Sequence, residues 1–228
     1  MRGIRFLFEL RPIEAVEPWG AVGDRSLHWF GLTDGWQCLD TTAGRLLEYA
    51  APARPSGATW MEYQVVRLFE DLLSAWPFIA ESVPDDVASR FFGWYSHAEH
   101  ARVAREEDDA TQKAWDEACF WWYERNVQFN HLRWAPELYL WRAGSEVNLV
   151  WDAPGENEAG PVWSVQHARL ALPLEDVREA LGSFCRDFLE AMARRVAGIE
   201  RGGWKRIDCW GGRPRGVSCQ GLVVSIRT

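Results

Sequence analysis

Hydrophobic and polar positions alternate at the start of the chain. Ile4, Phe6, Phe8 and Leu10 face one way and Arg5, Leu7 and Glu9 the other, a period of two that predicts a half-buried strand. Two short aromatic-rich runs follow, Leu27–Phe30 and Trp36–Leu39, separated by Gly31-Leu32-Thr33-Asp34-Gly35. Asp-Gly tolerates positive φ at both positions, so this segment predicts a hairpin turn. A third strand, Arg45–Tyr49, after Ala43-Gly44 completes a meander. The Pro- and Gly-rich residues 52–58 read as a linker, and any subdivision of an otherwise single domain falls there.

The period then changes. Thr59 and Glu62 form a capping-box pattern, and Val65, Leu68, Phe69, Leu72 and Trp76 keep helical spacing until Pro77, which is expected to end the run. Pro84-Asp85-Asp86 starts a second, short helix. From His97 to Val127 the chain lacks Gly and Pro. Its second half, Ala114–Tyr123, is apolar nearly all round, which predicts a central aromatic-rich helix covered on more than one face.

Leu138–Arg142 and Val147–Trp151, joined by Gly144-Ser145, form the clearest hairpin, and Val162–Leu172 adds one strand or two. Pro173, with Glu175 and Asp176 behind it, opens a helix striped by Val177, Leu181, Phe184, Phe188 and Met192. Arg194, Arg195 and Gly198 suit its end. The tail, Trp204–Thr228, reads as two strands. Strand blocks and helix blocks are segregated, so the fold class is α+β: antiparallel hairpins and a meander packed on a small set of helices, in a single domain spanning 1–228.

Composition sharpens this. The chain has 228 residues, 47% hydrophobic and 25% charged, enough to bury a core and inconsistent with disorder. Fifteen tryptophans fall on at least five elements, which fits an aromatic core; those in motif turns, Trp19, Trp29 and Trp36, remain for surface work. The net charge of −8 excludes a general nucleic-acid binder, whose phosphate contacts need surplus Lys and Arg. Five scattered cysteines without a C-x-x-C pair suit reduced thiols in a cytoplasmic protein. The apolar stretch near Met1 is too short for a secretory leader, and no window is long enough to span a membrane.

Candidate chemistry is sparse. No G-x-S-x-G, P-loop or dinucleotide fingerprint occurs. His97 and His100 share a helical face but lack a third ligand, and a solvated helix start explains them better than a metal. His28, Asp34 and Asp40 flank the first hairpin and could serve acid–base chemistry, although Asp before Gly suits a turn for backbone reasons alone. The glycines and arginines of residues 211–216 fit a turn better than an anion cradle. No cofactor, metal or catalytic residue is therefore assigned.

Charge is uneven. Residues 99–117 carry Glu99, Glu106, Glu107, Asp108, Asp109, Asp116 and Glu117 against three bases, while residues 201–227 carry six bases against Asp208. The two regions could be ordinary solvated faces, could pair with each other, or could steer a basic protein.

Pro18-Trp19-Gly20 with Leu27-His28-Trp29-Phe30-Gly31-Leu32-Thr33-Asp34-Gly35-Trp36 resembles the N-terminal signature of a bacterial family known only as a domain of unknown function. The hairpin Pro136–Trp151 and the strand leading into the last helix resemble that family too. The resemblance implies no catalytic residue. Small acidic proteins of this type are often immunity proteins of toxin systems, which suggests a cytoplasmic module that neutralises a basic toxin. Its partner-binding residues are expected among Glu106, Glu107, Asp108, Asp109, Asp152, Glu156 and Glu158, with Trp29 and Trp36 as aromatic anchors. The alternatives are an enzyme with a site at the first hairpin or a metal on the 97–100 helix, and a scaffold subunit.

Overall fold

The opening alternation forms strand β1, Ile4–Leu10, with Ile4 and Phe6 buried and Arg5 and Glu9 exposed. A computed structural model describes residues 3–18, 27–51, 59–91, 109–127, 129, 131–132, 135–153, 162–201 and 207–208. Two compact units emerge: one holds residues 1–70, 155–165 and 175–228, the other residues 71–154 and 166–174. The expected linker at 52–58 lies outside the described residues.

In the first unit, β1 pairs antiparallel along its whole length with β3, Asp34–Thr41. Beyond β3 lie two short strands, β4 (Gly44–Leu46) against its end and β5 (Met61–Gln64) against its start. Before β3 come β2, Leu27–His28, and one helical turn, α1, Trp29–Leu32. The expected hairpin at Asp34-Gly35 is therefore not formed. His28 accepts a hydrogen bond at Nδ1 from the Phe30 amide and caps α1, and β3 is already paired by β1 along one edge and by β5 and β4 along the other. Gly35 sits inside β3, where its role is close approach, since an added Cβ would lie 2.1 Å from the Glu9 carbonyl oxygen.

Thr59 and Glu62 do not cap a helix either. Thr59 Oγ1 donates to Glu48, Glu62 pairs with Arg11, and β5 occupies the segment because β3 offers a free edge there. Helix α2 then runs Val65–Ala80, its first residues in the first unit and its remainder, from Asp71, in the second. Pro77 lies inside it: the helix continues one further turn, with Glu81 N–H bonded to the Pro77 carbonyl at 3.3 Å.

The core of the first unit is aromatic. Helix α5, Leu174–Arg201, buries the expected stripe of Val177, Leu181, Phe184, Phe188 and Met192. Phe184 meets Phe6 and Phe8 of β1, each with centroids 5.7 Å apart, and Phe188 meets Phe69 of α2 at 4.9 Å. The helix runs through Gly198, where glycine was expected to stop it. In the tail only β9, Ile207–Asp208, is described, parallel to β2; the rest of the two strands expected there is outside the described residues.

The second unit holds the clear hairpin, β6 (Glu137–Ala143) and β7 (Glu146–Asp152), with Gly144 at φ +62° supplying the turn. β8, His167–Pro173, completes a three-stranded antiparallel sheet. Two helices accompany it, α3 (Asp85–Phe91) and α4 (Asp109–Tyr123). Val83, Val87, Ala88 and Ala118 pack with Tyr139, Trp141 and Val150 on one face of the sheet. The architecture is α+β, with antiparallel sheets in both units. No described helix is long and apolar enough to cross a membrane.

Candidate functional site

Helix α4 departs most from its expected environment. A sequence apolar on nearly every side was expected to be covered on more than one face. Instead Ala118 is buried, Trp121 and Trp122 are half-buried, and Phe120 and Tyr123 stand 73% and 68% exposed. The helix packs one side against the sheet and presents the other to solvent. Trp122 anchors the inner side, stacking on Tyr139 at 3.8 Å and meeting Trp141 at 5.8 Å.

The outer side is one chemical surface. Asp116, Glu117, Phe120, Tyr123 and Glu124 recur at spacings of three and four, so their side chains share a helical face. Asp116, Glu117 and Cys119 are exposed alongside the two rings. Exposed phenyl and phenol rings next to carboxylates are what a docking surface for a basic protein needs: rings for contact area, carboxylates for steering.

The segment after α4 holds this face in place. Arg125 is fully buried and its guanidinium lies 4.4 Å from the centroid of Trp121. It donates to the Trp121 carbonyl at 3.0 Å and to Glu81 at 3.3 Å. A cation among the last carbonyls of a helix also complements the helix dipole. Burial pulls the Arg125 pKa below its ordinary value, and the Glu81 carboxylate opposes that shift. Leu140 N–H then donates to the Arg125 carbonyl and Val127 N–H to that of Leu138, stitching the chain to the edge of β6.

Between α2 and the end of α4 opens a cleft of about 330 Å³. Asp71, Ser74, Ala75 and Phe78 line it from α2, at positions one turn apart; Tyr123, Glu124 and Asn126 line it from the other wall. Two carboxylates and two aromatic rings thus face a single opening.

The residues singled out from the sequence lie elsewhere or beyond description. Glu106, Glu107, Asp108, Glu156 and Glu158 are outside the described residues, as are His97 and His100 and the side chain of Asp109. Asp152 lies at the end of β7, where its carboxylate meets Nδ1 of His167 at 2.6 Å across the β7–β8 pair. Trp29 and Trp36 are both half-buried. Arg11 covers Trp36, with its guanidinium 5.2 Å from the ring centroid, and pairs with Glu62 at the same time. Every tryptophan whose side chain is described is buried or half-buried. The exposed large hydrophobic rings among the described residues are those of Phe120 and Tyr123, which the all-round apolarity of α4 had consigned to the core. The signal that separates them is their spacing from Asp116, Glu117 and Glu124.

The segment expected to form the first hairpin assembles no acid–base site. Asp34 and Asp40 sit at opposite ends of β3, six residues apart, which places them about 20 Å from each other along an extended strand. Asp40 pairs with Arg5 and Arg45. His28 spends Nδ1 on the α1 cap. Asp34 lies close to Arg11, Glu62 and Arg195, and Arg195 donates to the carbonyls of Leu32 and Arg11. These groups hold α1, β3 and α5 together within the first unit. No cluster of metal-ligating side chains occurs among the described residues.

Burial raises the Asp34 pKa above 3.8, outweighing its basic neighbours. A raised carboxyl pKa means that the folded chain favours the protonated form. The stability this contributes is complete below the unfolded pKa of about 3.9 and is lost as pH rises through the folded value. Asp34→Asn removes the ionisation. The variant is expected to melt above the parent at pH 7, and the gap is expected to close as pH falls below about 4. Thermal melts across that range, read by circular dichroism, check the sign; a variant less stable at pH 7 contradicts it.

A model of the family of unknown function DUF5984 matches residues 5–210, so the chain belongs to that family. No curated protein and no solved structure matches the chain.

Proposed function

We propose that this member of DUF5984 is a protein-binding module that docks a basic protein through the outer face of α4, and that it works in the cytoplasm as an immunity protein, neutralising a toxin. One observation carries the reading: Phe120 and Tyr123 are the most exposed large hydrophobic side chains described, and they lie among Asp116, Glu117 and Glu124 on one helical face. Leaving two rings in water has no folding benefit, since each would stabilise the chain by roughly 1.5–3 kcal/mol if buried. Contact with a partner recovers that term. The net charge of −8 adds long-range attraction for a basic protein and raises the encounter rate. The toxin identity rests on the acidity and on the lack of any catalytic motif.

An enzymatic reading draws no support from residues 28–40, whose candidate groups are separated or engaged in structure.

Co-expression with the product of the adjacent reading frame tests the function. That product is expected to arrest growth alone, and the parent chain to restore it. Phe120→Ser/Tyr123→Ser is expected to fail to restore growth while melting within about 0.5 kcal/mol of the parent, as exposed substitutions do. A harmless neighbour, or rescue by the double variant equal to that by the parent, overturns the proposal.

A further inference from the structure

The cleft between α2 and the end of α4 borders the proposed docking face, since Tyr123 and Glu124 belong to both. We infer that this cleft is a socket for one arginine side chain of the basic partner. The inference rests on the reading of α4 as a docking face and adds what the partner must present to it.

The lining decides the ligand class. Asp71 and Glu124 bring a carboxylate from each wall, and Phe78 and Tyr123 bring a ring from each. No basic residue among those described lines the cleft. An apolar ligand would leave two carboxylates desolvated against it, and an anion would be repelled by both. A cation with an apolar stem satisfies all four groups. Arginine fits better than lysine, because its planar guanidinium offers donors on two edges and stacks on aromatic faces. Its three methylenes can lie along Phe78 and Ala75 while the head reaches the acids. The cleft volume of about 330 Å³ leaves room for such a side chain with accompanying water.

The walls are also held. Ala75 is buried in α2, and the Arg125 contacts fix the chain between Glu124 and Asn126 to the β6 edge. A socket that exists before the ligand arrives loses less entropy on binding.

The test uses the full-length, ¹⁵N-labelled chain titrated with acetyl-Gly-Arg-Gly-amide and, separately, with its lysine counterpart. Amide shifts that saturate and centre on Ser74, Phe78, Tyr123 and Asn126 are expected, with the lysine peptide weaker. Asp71→Asn/Glu124→Gln is expected to weaken arginine binding at least about tenfold, whereas Asp187→Asn/Glu190→Gln, which removes the same charge from two exposed acids of α5, leaves it within about twofold. Shifts scattered over acidic surfaces without saturation, or equal binding by Asp71→Asn/Glu124→Gln, overturn the inference. So does peptide binding seen only after Arg213→Ser/Arg215→Ser, which would make the chain's own basic tail the occupant. The two readings fail separately. Partner rescue that ignores Phe120 and Tyr123 removes the docking face even if the peptide binds. Rescue that needs both rings, in a chain that does not take the peptide, removes the socket alone.

Discussion

Replacing Phe184 by alanine is expected to lower the unfolding free energy by about 3–5 kcal/mol, more than truncation of any exposed side chain. The ring is 1% exposed and touches four others: Phe6 and Phe8 of β1, Phe69 of α2 and Phe188 one turn along α5. Truncation removes the transfer term of a buried phenyl group and leaves a cavity walled by rings on three elements. Such walls cannot collapse without moving the strand or a helix. Edge-to-face geometry is lost as well, as Phe8 meets Phe184 at 80°. Domains are stable by only about 5–15 kcal/mol, so the variant sits near the threshold of folding. Phe184→Leu keeps most of the volume and is expected to lose less than half as much. Urea unfolding of both variants measures the difference. Equal losses for alanine and leucine would place the energy outside ring packing.

Gly35→Ala is the second large effect, and it acts through the backbone. An alanine Cβ at position 35 would stand 2.1 Å from the Glu9 carbonyl oxygen and 3.0 Å from the Leu10 Cα. Neither atom belongs to a flexible side chain, so β1 must shift away from β3 at the end where Leu10 pairs with Gly35. Overpacking of this kind costs about 1–3 kcal/mol or more, and the loss of local pairing places this case at the upper end. For a chain of this size a loss of about 3 kcal/mol corresponds to a fall in melting temperature of roughly 6–12 °C. Gly198→Ala is the matched control. Gly198 lies within α5 with nothing within 4 Å of an added Cβ, and there alanine is expected to stabilise by roughly 0.5–1 kcal/mol. If both glycine variants move the melting point in the same direction, the close approach of β1 is not what Gly35 is for.

The same glycine shows where sequence reasoning stopped. Asp34-Gly35 carries the local signature of a hairpin turn, and its true role depends on a strand more than twenty residues upstream. Pattern alone cannot see that approach. Thr59 and Glu62 misled in the same way: their spacing suits a cap, but the open edge of β3 and the charge of Arg11 recruited Glu62 into β5, and Thr59, just before that strand, bonds to Glu48. Where periodicity was long and contacts local, the reading held. The α5 stripe and the β6–β7 hairpin were legible because each is specified by its own residues.

The candidate site was legible only in its chemistry. Acidic side chains and aromatic anchors were expected at other positions, whereas the face of α4 is built from Asp116, Glu117, Phe120 and Tyr123. The choice of rings was not, because hydrophobicity reports how much a residue favours burial and not whether a partner element is available. Trp122 found Tyr139 and Trp141, whereas Phe120 and Tyr123, on the other side of the same helix, remain in solvent. Of the tryptophans singled out for surface work, Trp36 lies half-buried under Arg11, Trp29 sits half-buried in the turn capped by His28, and Trp19 lies outside the described residues.

Docking through the outer face of α4 is tested most directly by calorimetric titration of the purified chain with the product of the adjacent reading frame, at low and at moderate salt. A saturable complex that weakens as salt rises is expected. Phe120→Ser/Tyr123→Ser is expected to lose about 2 kcal/mol or more of binding free energy, roughly thirtyfold in affinity, with its melting temperature unchanged. No complex, or an affinity for the double variant equal to that of the parent, would contradict docking through this face.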